Sequence, residues 1–185
     1  MENKIAELGV CIKPQMDFVL MLLLLDKEKN NGILCNNFIE LSYAEDLYKD
    51  PWLEFSYLCE FDQYFTLDTY KIPKEIITKD NFVKNLKEYL KNQFLVMFNI
   101  DTYYIDIYPN YSKIHAQHEI IVYGYTDSYF LTCDYFGGSK INKARVKFEQ
   151  LEAAFVNYQI ECKNNTFFDY LRGLVISRPN EHMAK

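Results

Sequence analysis

The amino-acid sequence predicts an α+β fold. Its first part carries helix-period apolar runs, its second part carries strand-period alternation, and no Pro-, Gly- or Ser-rich linker separates them. At 185 residues, 49% hydrophobic and 17% aromatic, the chain can bury one sizeable core but is small for two. A single domain over residues 1–185 is therefore expected.

The elements follow in order. Pro14 to Leu25 reads as a helix, because Pro is tolerated in a first helical turn and Asp17 suits the positive end of the dipole. It should end near Asn30-Asn31-Gly32. Ile33 to Leu41 is short and β-like, whereas the aromatic-rich stretch from Ala44 to Asp62 fits helix or strand equally. Asp80 suits an N-cap for a helix running to Lys91, on which Phe82, Val83, Leu86 and Leu90 form an apolar stripe. The period then changes. Gln93 to Tyr108 reads as one long or two short strands, and Glu119 to Tyr125 with Ser128 to Asp134 reads as a hairpin about Thr126-Asp127. Phe136-Gly137-Gly138-Ser139 is a turn, and Phe148 to Tyr158 is a second amphipathic helix opened by Glu149 and Glu152.

A formal net charge of −6 argues against a surface that tracks nucleic-acid phosphates, which needs concentrated Lys and Arg. Phe18 to Leu25 is strongly apolar, but a membrane span needs roughly 20 residues, and Glu2, Glu7 and Asp17 are unlike a secretory leader. The expectation is a protein of the cytoplasm, with no membrane and no nucleic-acid partner. The five cysteines, Cys11, Cys35, Cys59, Cys133 and Cys162, are odd in number and lack a CxxC pair, so a reduced chain without a zinc site is expected.

Three residues fit a thiol nucleophile with an acid–base partner. Cys11 stands just before the Pro14 helix, and His118 and Asp134 bracket the hairpin. A three-residue connection, Tyr125-Thr126-Asp127, would put His118 directly opposite Asp134, with Cβ atoms about 4.5–5.5 Å apart. A connection of two or four residues would pair His118 with Tyr135 instead. A thiol with an ordinary pKa of about 8.5 needs a helix N-terminus or an imidazolium to become thiolate near neutral pH. Histidine would then move protons to and from the reacting groups, while a carboxylate fixes the tautomer and orientation of its ring.

Blander explanations stand beside this one. Cysteines are commonly buried as small apolar residues, and Cys35, Cys59, Cys133 and Cys162 read that way, but Cys11 precedes its helix instead of lying in the apolar stripe. His118 could be a hydrogen-bonded core residue and Asp134 a turn-former. His115 and His118 have a spacing seen in metal sites, but three apart on a strand they would face opposite sides, so no metal is expected. Only His182, in the tail, remains as another imidazole. Asp101, Asp106 and Glu119 are candidates to attract a cationic amine, although solvated loop charge is their ordinary explanation.

This order of residues resembles the papain-like clan of cysteine peptidases. A Cys heads the first helix, a His opens an apolar strand, and an Asp follows sixteen residues later. The pattern is similar to that of the bacteriocin-leader peptidases of peptide exporters. The segments DTYYIDIY from Asp101, HEIIVYGYTD from His118 and FLTCD ending at Asp134 look more like a biosynthetic branch. That branch holds the N-terminal domain of the butirosin-type acyltransferase and the amide-forming enzyme of closthioamide assembly. The resemblance implies a papain-like fold, with the Cys helix packed against a C-terminal antiparallel sheet. It also implies Cys11 as nucleophile, His118 as general base and acid, and Asp134 as orienting carboxylate.

The implied reaction is amide formation from a thioester on an acyl or peptidyl carrier protein to a small amine or diamine. On the closthioamide-like reading, the acyl group would be a short β-alanine-derived chain. Phosphopantetheine would arrive with the substrate, and no cofactor of the protein's own is implied. A leader-type or small-peptide peptidase and a catalytically silent binding module of a biosynthetic complex are the alternatives. The leader peptidases carry a Gln shortly before the Cys, yet Ile5, Ala6, Glu7 and Leu8 offer no amide here, and Gly9 alone remains of the Gly-rich approach. Backbone N–H groups at the head of the Cys11 helix are the favoured oxyanion donors, with Gln15, Gln117 or Asn99 as side-chain alternatives.

Overall fold

A computed structural model describes residues 1–5, 39–44, 52–57, 67–138, 140–161 and 173–179. Cys11, the Pro14 to Leu25 helix, Gln15, Cys35, Cys59, Cys162 and His182 lie outside them. The described elements run β1 (Ile39–Ala44), β2 (Trp52–Tyr57), β3 (Leu67–Ile72), α1 (Phe82–Lys91), β4 (Leu95–Asp101), β5 (Gln117–Tyr125), β6 (Tyr129–Asp134), β7 (Asn142–Lys147), α2 (Phe148–Glu161) and β8 (Leu174–Pro179). β1 and β2 form an antiparallel pair, so the ambiguous stretch after Ala44 contains a strand. The other strands form one six-stranded sheet in the order β3-β8-β4-β5-β6-β7, with every pairing antiparallel. The fold is α+β. Among the described residues no helix is long and apolar enough to cross a membrane.

The two faces of the sheet are distinct because strand side chains alternate. Phe98 and Ile100 of β4, Ile120 and Val122 of β5 and Phe130 of β6 turn to one face, where both helices cover them. Phe82, Leu86 and Leu90 form the buried stripe of α1, and α2 adds Leu151, Ala154 and Phe155. Phe155 stacks on Phe82 at 4.9 Å between ring centroids and meets Phe98 edge-on at 5.4 Å. The opposite face carries Leu95, Met97, Ile121, Tyr123, Leu131 and Cys133, with Ile5 packed against them.

Several boundaries move from their expected places. Asn81, not Asp80, occupies the N-cap position of α1, and its side chain makes no capping bond. Its carboxamide instead closes the preceding turn, accepting from Thr78 N at 2.8 Å and donating to Ile76 O at 2.9 Å. The stretch from Gln93 to Tyr108 holds one strand rather than two. β4 stops at Asp101, whose carboxylate accepts from Tyr103 N at 3.0 Å and starts a 3-10 turn over Thr102–Tyr104. This side chain satisfies the backbone in place of a ladder partner.

β3, β7 and β8 were not expected. β7 offers little apolar pattern, since it is an edge strand with Val146 as its one fully buried side chain. β8 enters the sheet between β3 and β4, a placement set by distant pairings rather than by any local turn.

Candidate functional site

His118 and Asp134 meet. His118 Nε2 lies 2.9 Å from Asp134 Oδ1, and Asp134 has no exposed surface while the imidazole is about one-third exposed, at 35%. A carboxylate only accepts, so Nε2 carries the hydrogen of this bond, and in a neutral ring Nδ1 is the basic nitrogen. Asp134 Oδ1 also accepts from the backbone N–H of Tyr135, and Oδ2 accepts from the hydroxyl of Tyr108. The Tyr108 ring stands edge-on to His118 at 5.8 Å and lies 5.4 Å from Phe136. Burial, reinforced by the charge and hydrogen bond of Asp134, holds the Tyr108 hydroxyl pKa well above the ordinary tyrosine range.

The pairing differs from direct opposition. β5 and β6 are joined through Thr126-Asp127-Ser128, and a bulge between Val122 and Gly124 shifts the register, with Ile121 opposite Cys133. Continuing that register puts Ile120 opposite Asp134, so His118 is its diagonal neighbour, displaced by two residues. A shift of two preserves the face, and a diagonal of about 7–8 Å is within reach of an imidazole and a carboxylate.

Residues 1–5 dock on the bulge, with Asn3 N donating to Tyr123 O at 2.9 Å and Tyr125 N donating to Met1 O at 2.8 Å. A Cβ on Gly124 would lie 2.8 Å from Met1 O and 2.9 Å from the Glu2 Cα, so only glycine leaves room for this segment.

Other expected residues fall elsewhere. His115 lies in the loop before β5, and its Nδ1 sits 2.6 Å from Asp101 Oδ2. The Tyr103 ring stacks on it at 4.2 Å between centroids. Strand alternation places Asp101 on the face opposite His118, so the two histidines belong to separate His–Asp pairs. Asp101 is only 3% exposed, which corrects its reading as solvated loop charge. Glu119 also belongs to the far face, while Asp106 is exposed in the loop.

Two oxyanion candidates are likewise displaced. Gln117 donates from Nε2 to Asn99 Oδ1 at 3.2 Å, and both residues belong by alternation to the face opposite His118. Cys133 is buried among apolar residues, and desolvation pushes its thiol pKa up to about 12. It therefore remains the protonated, poorly nucleophilic form near neutral pH.

Tyr108 is the contact that sequence reasoning missed. One tyrosine among sixteen has no distinguishing spacing, and it lies in turns beyond the end of β4. Cys11 lies outside the described residues.

No individual curated protein matches the chain. The family described as butirosin biosynthesis protein H, N-terminal, matches residues 38–135. That stretch is more than half of the 185-residue chain and includes Tyr108, His118 and Asp134, while Cys11 precedes it. The chain belongs to the butirosin biosynthesis protein H N-terminal family.

Proposed function

We propose that this protein is a papain-like, cysteine-dependent acyltransferase that forms an amide in a biosynthetic pathway. The observation that carries the reading is the His118–Asp134 pair: an imidazole one-third exposed, held at 2.9 Å by a carboxylate with no exposed surface. This arrangement suits reversible proton transfer, because the carboxylate fixes the ring while the other ring edge carries the chemistry. Membership of a biosynthetic family supports a synthetic rather than a digestive role.

In the proposed reaction Cys11 is the thiolate nucleophile and His118 Nδ1 its proton partner. The thiolate attacks the carbonyl carbon of a thioester on a carrier protein's phosphopantetheine arm. The carbon–sulfur bond to the arm breaks, His118 protonates the departing thiol, and an acyl-Cys11 remains. A small amine then attacks the acyl carbon and gives up a proton to His118, and the Cys11 thiolate leaves as the amide forms. Backbone N–H groups at the head of the expected Cys11 helix are the proposed oxyanion donors. Chain length permits the encounter: Asn3 is held at Tyr123, and the eight residues from Asn3 to Cys11 can span roughly 26–29 Å. Tyr123 to His118 along β5 is about 17 Å.

The test is incubation with an acyl-pantetheine thioester, with and without a diamine, followed by intact-mass analysis. The expected result is an acyl adduct on Cys11 that is consumed to an amide only when the diamine is present. Rapid hydrolysis without amide, or cleavage of a peptide, would identify a peptidase. Absence of any adduct, with a Cys11→Ala variant still supporting the pathway, would overturn the nucleophile and leave a binding module.

A further inference from the structure

We propose that Tyr108 is a positioning residue for the acid–base pair: its hydroxyl, donating to Asp134 Oδ2, fixes the carboxylate that orients His118. The inference rests on the reading above in one respect, namely that His118 moves protons in acyl transfer.

The two oxygens of Asp134 have separate partners. Oδ1 receives His118 Nε2 and the Tyr135 N–H, and Oδ2 receives Tyr108. Asp134 has no exposed surface, so a lost protein donor cannot be replaced directly by bulk water. Without the Tyr108 hydrogen bond, Oδ2 would hold uncompensated charge, and the carboxylate, still held by the Tyr135 N–H, would act more strongly on the imidazole.

The hydroxyl is held by packing rather than by this bond alone. The Tyr108 ring is 6% exposed and lies between the rings of His118 and Phe136. Phe136 adopts φ +47, a left-handed conformation that is unfavourable for a bulky residue, and Gly137 follows at φ +80. This tight turn directly follows Asp134 and Tyr135, and it packs on the loop that carries Tyr108: a Cβ on Gly137 would lie 3.1 Å from Pro109 Cγ. Turn and loop therefore brace each other, with Tyr108 aimed at the carboxylate. Since the hydroxyl pKa is held well above the ordinary range, Tyr108 stays a donor throughout the neutral range.

A tyrosine that merely filled the core would not influence the titration of His118. The test follows the His118 ring resonances against pH in the wild-type protein, in Tyr108→Phe, and in Tyr111→Phe as an exposed-tyrosine control. In Tyr108→Phe the apparent pKa of His118 should rise by about half a unit to one unit, because a carboxylate with one donor fewer stabilises the imidazolium more. The control should match wild type. An unchanged His118 titration in folded Tyr108→Phe would overturn the proposal.

If that variant does not fold, the wild-type protein decides the matter through the buried Tyr108 hydroxyl proton. Its resonance should move as His118 titrates, and a resonance indifferent to His118 would overturn the coupling. Where wild type acylates Cys11, the pH profile of acylation in Tyr108→Phe should move in the alkaline direction. A wild-type protein that never acylates Cys11 defeats the proposed function, and the His118 titration still decides the role of Tyr108.

Discussion

At the scale of single residues, two His–Asp pairs lie on opposite faces of the β4–β5 ladder, and they should respond differently to mutation. Asp134→Asn replaces an obligate acceptor by a carboxamide that no longer enforces the Nε2–H tautomer of His118. The rate of amide formation should fall by about a hundredfold or more, measured under saturating thioester. His115→Ala, by contrast, should leave that rate within about twofold, since its partner Asp101 faces away from His118. It should cost about 1–3 kcal/mol in urea unfolding, because a buried carboxylate loses a charge-assisted partner and keeps only the Tyr103 and Ala116 backbone donors. Cys133 gives a third contrast. With its pKa pushed up to about 12, it should resist iodoacetamide at pH 8 in the native protein and react readily once urea has unfolded the chain.

At the scale of elements, the hairpin shows what was legible and what was not. The alternation of β5 and β6 alone left the face of His118 open, because a one-residue change of register would pair it with Tyr135; the bulge between Val122 and Gly124 takes up the odd residue and brings His118 and Asp134 to one face. The diagonal offset was not legible, since the bulge lies where residues 1–5, more than a hundred positions away in the chain, dock at Gly124. Asp101 was misjudged for a similar reason: a carboxylate at a strand end looks solvated until the returning loop brings His115 to it. β8 left no local mark, as its place between β3 and β4 is decided by two long-range ladders. Gly124 offers a direct test of this docking. Gly124→Val would drive a branched side chain into Met1 and Glu2, and a loss of about 1–3 kcal/mol in chemical denaturation is expected. The same variant should slow Cys11 acylation if the segment leading to Cys11 is held by this contact.

At the scale of the whole molecule, the α+β class followed from the change of period along the chain, and two helices on one face of an antiparallel sheet fulfil it. Burial of protonated acids gives this assembly an alkaline limit. The Cys133 thiol and the Tyr123 hydroxyl are each raised to about 12, and Tyr108 is raised well above its ordinary range. Each group holds its proton more tightly folded than unfolded. The stability they contribute is therefore complete below about pH 8.5–10, where the unfolded groups begin to ionise, and is lost as pH climbs towards 12. The urea midpoint should accordingly fall between pH 9 and pH 11, and by less in Tyr108→Phe.

In the proposed function the buried Asp134 carboxylate holds His118 as the proton partner of a Cys11 nucleophile. The most direct measurement is the rate at which an acyl-pantetheine thioester labels the protein at pH 7.5, with the adduct located by peptide mapping, in wild type and in His118→Ala. The expected result is an adduct on Cys11 whose formation slows by about 10²–10⁴-fold without the imidazole. An adduct on another cysteine, or labelling of Cys11 at the same rate in His118→Ala, would contradict it.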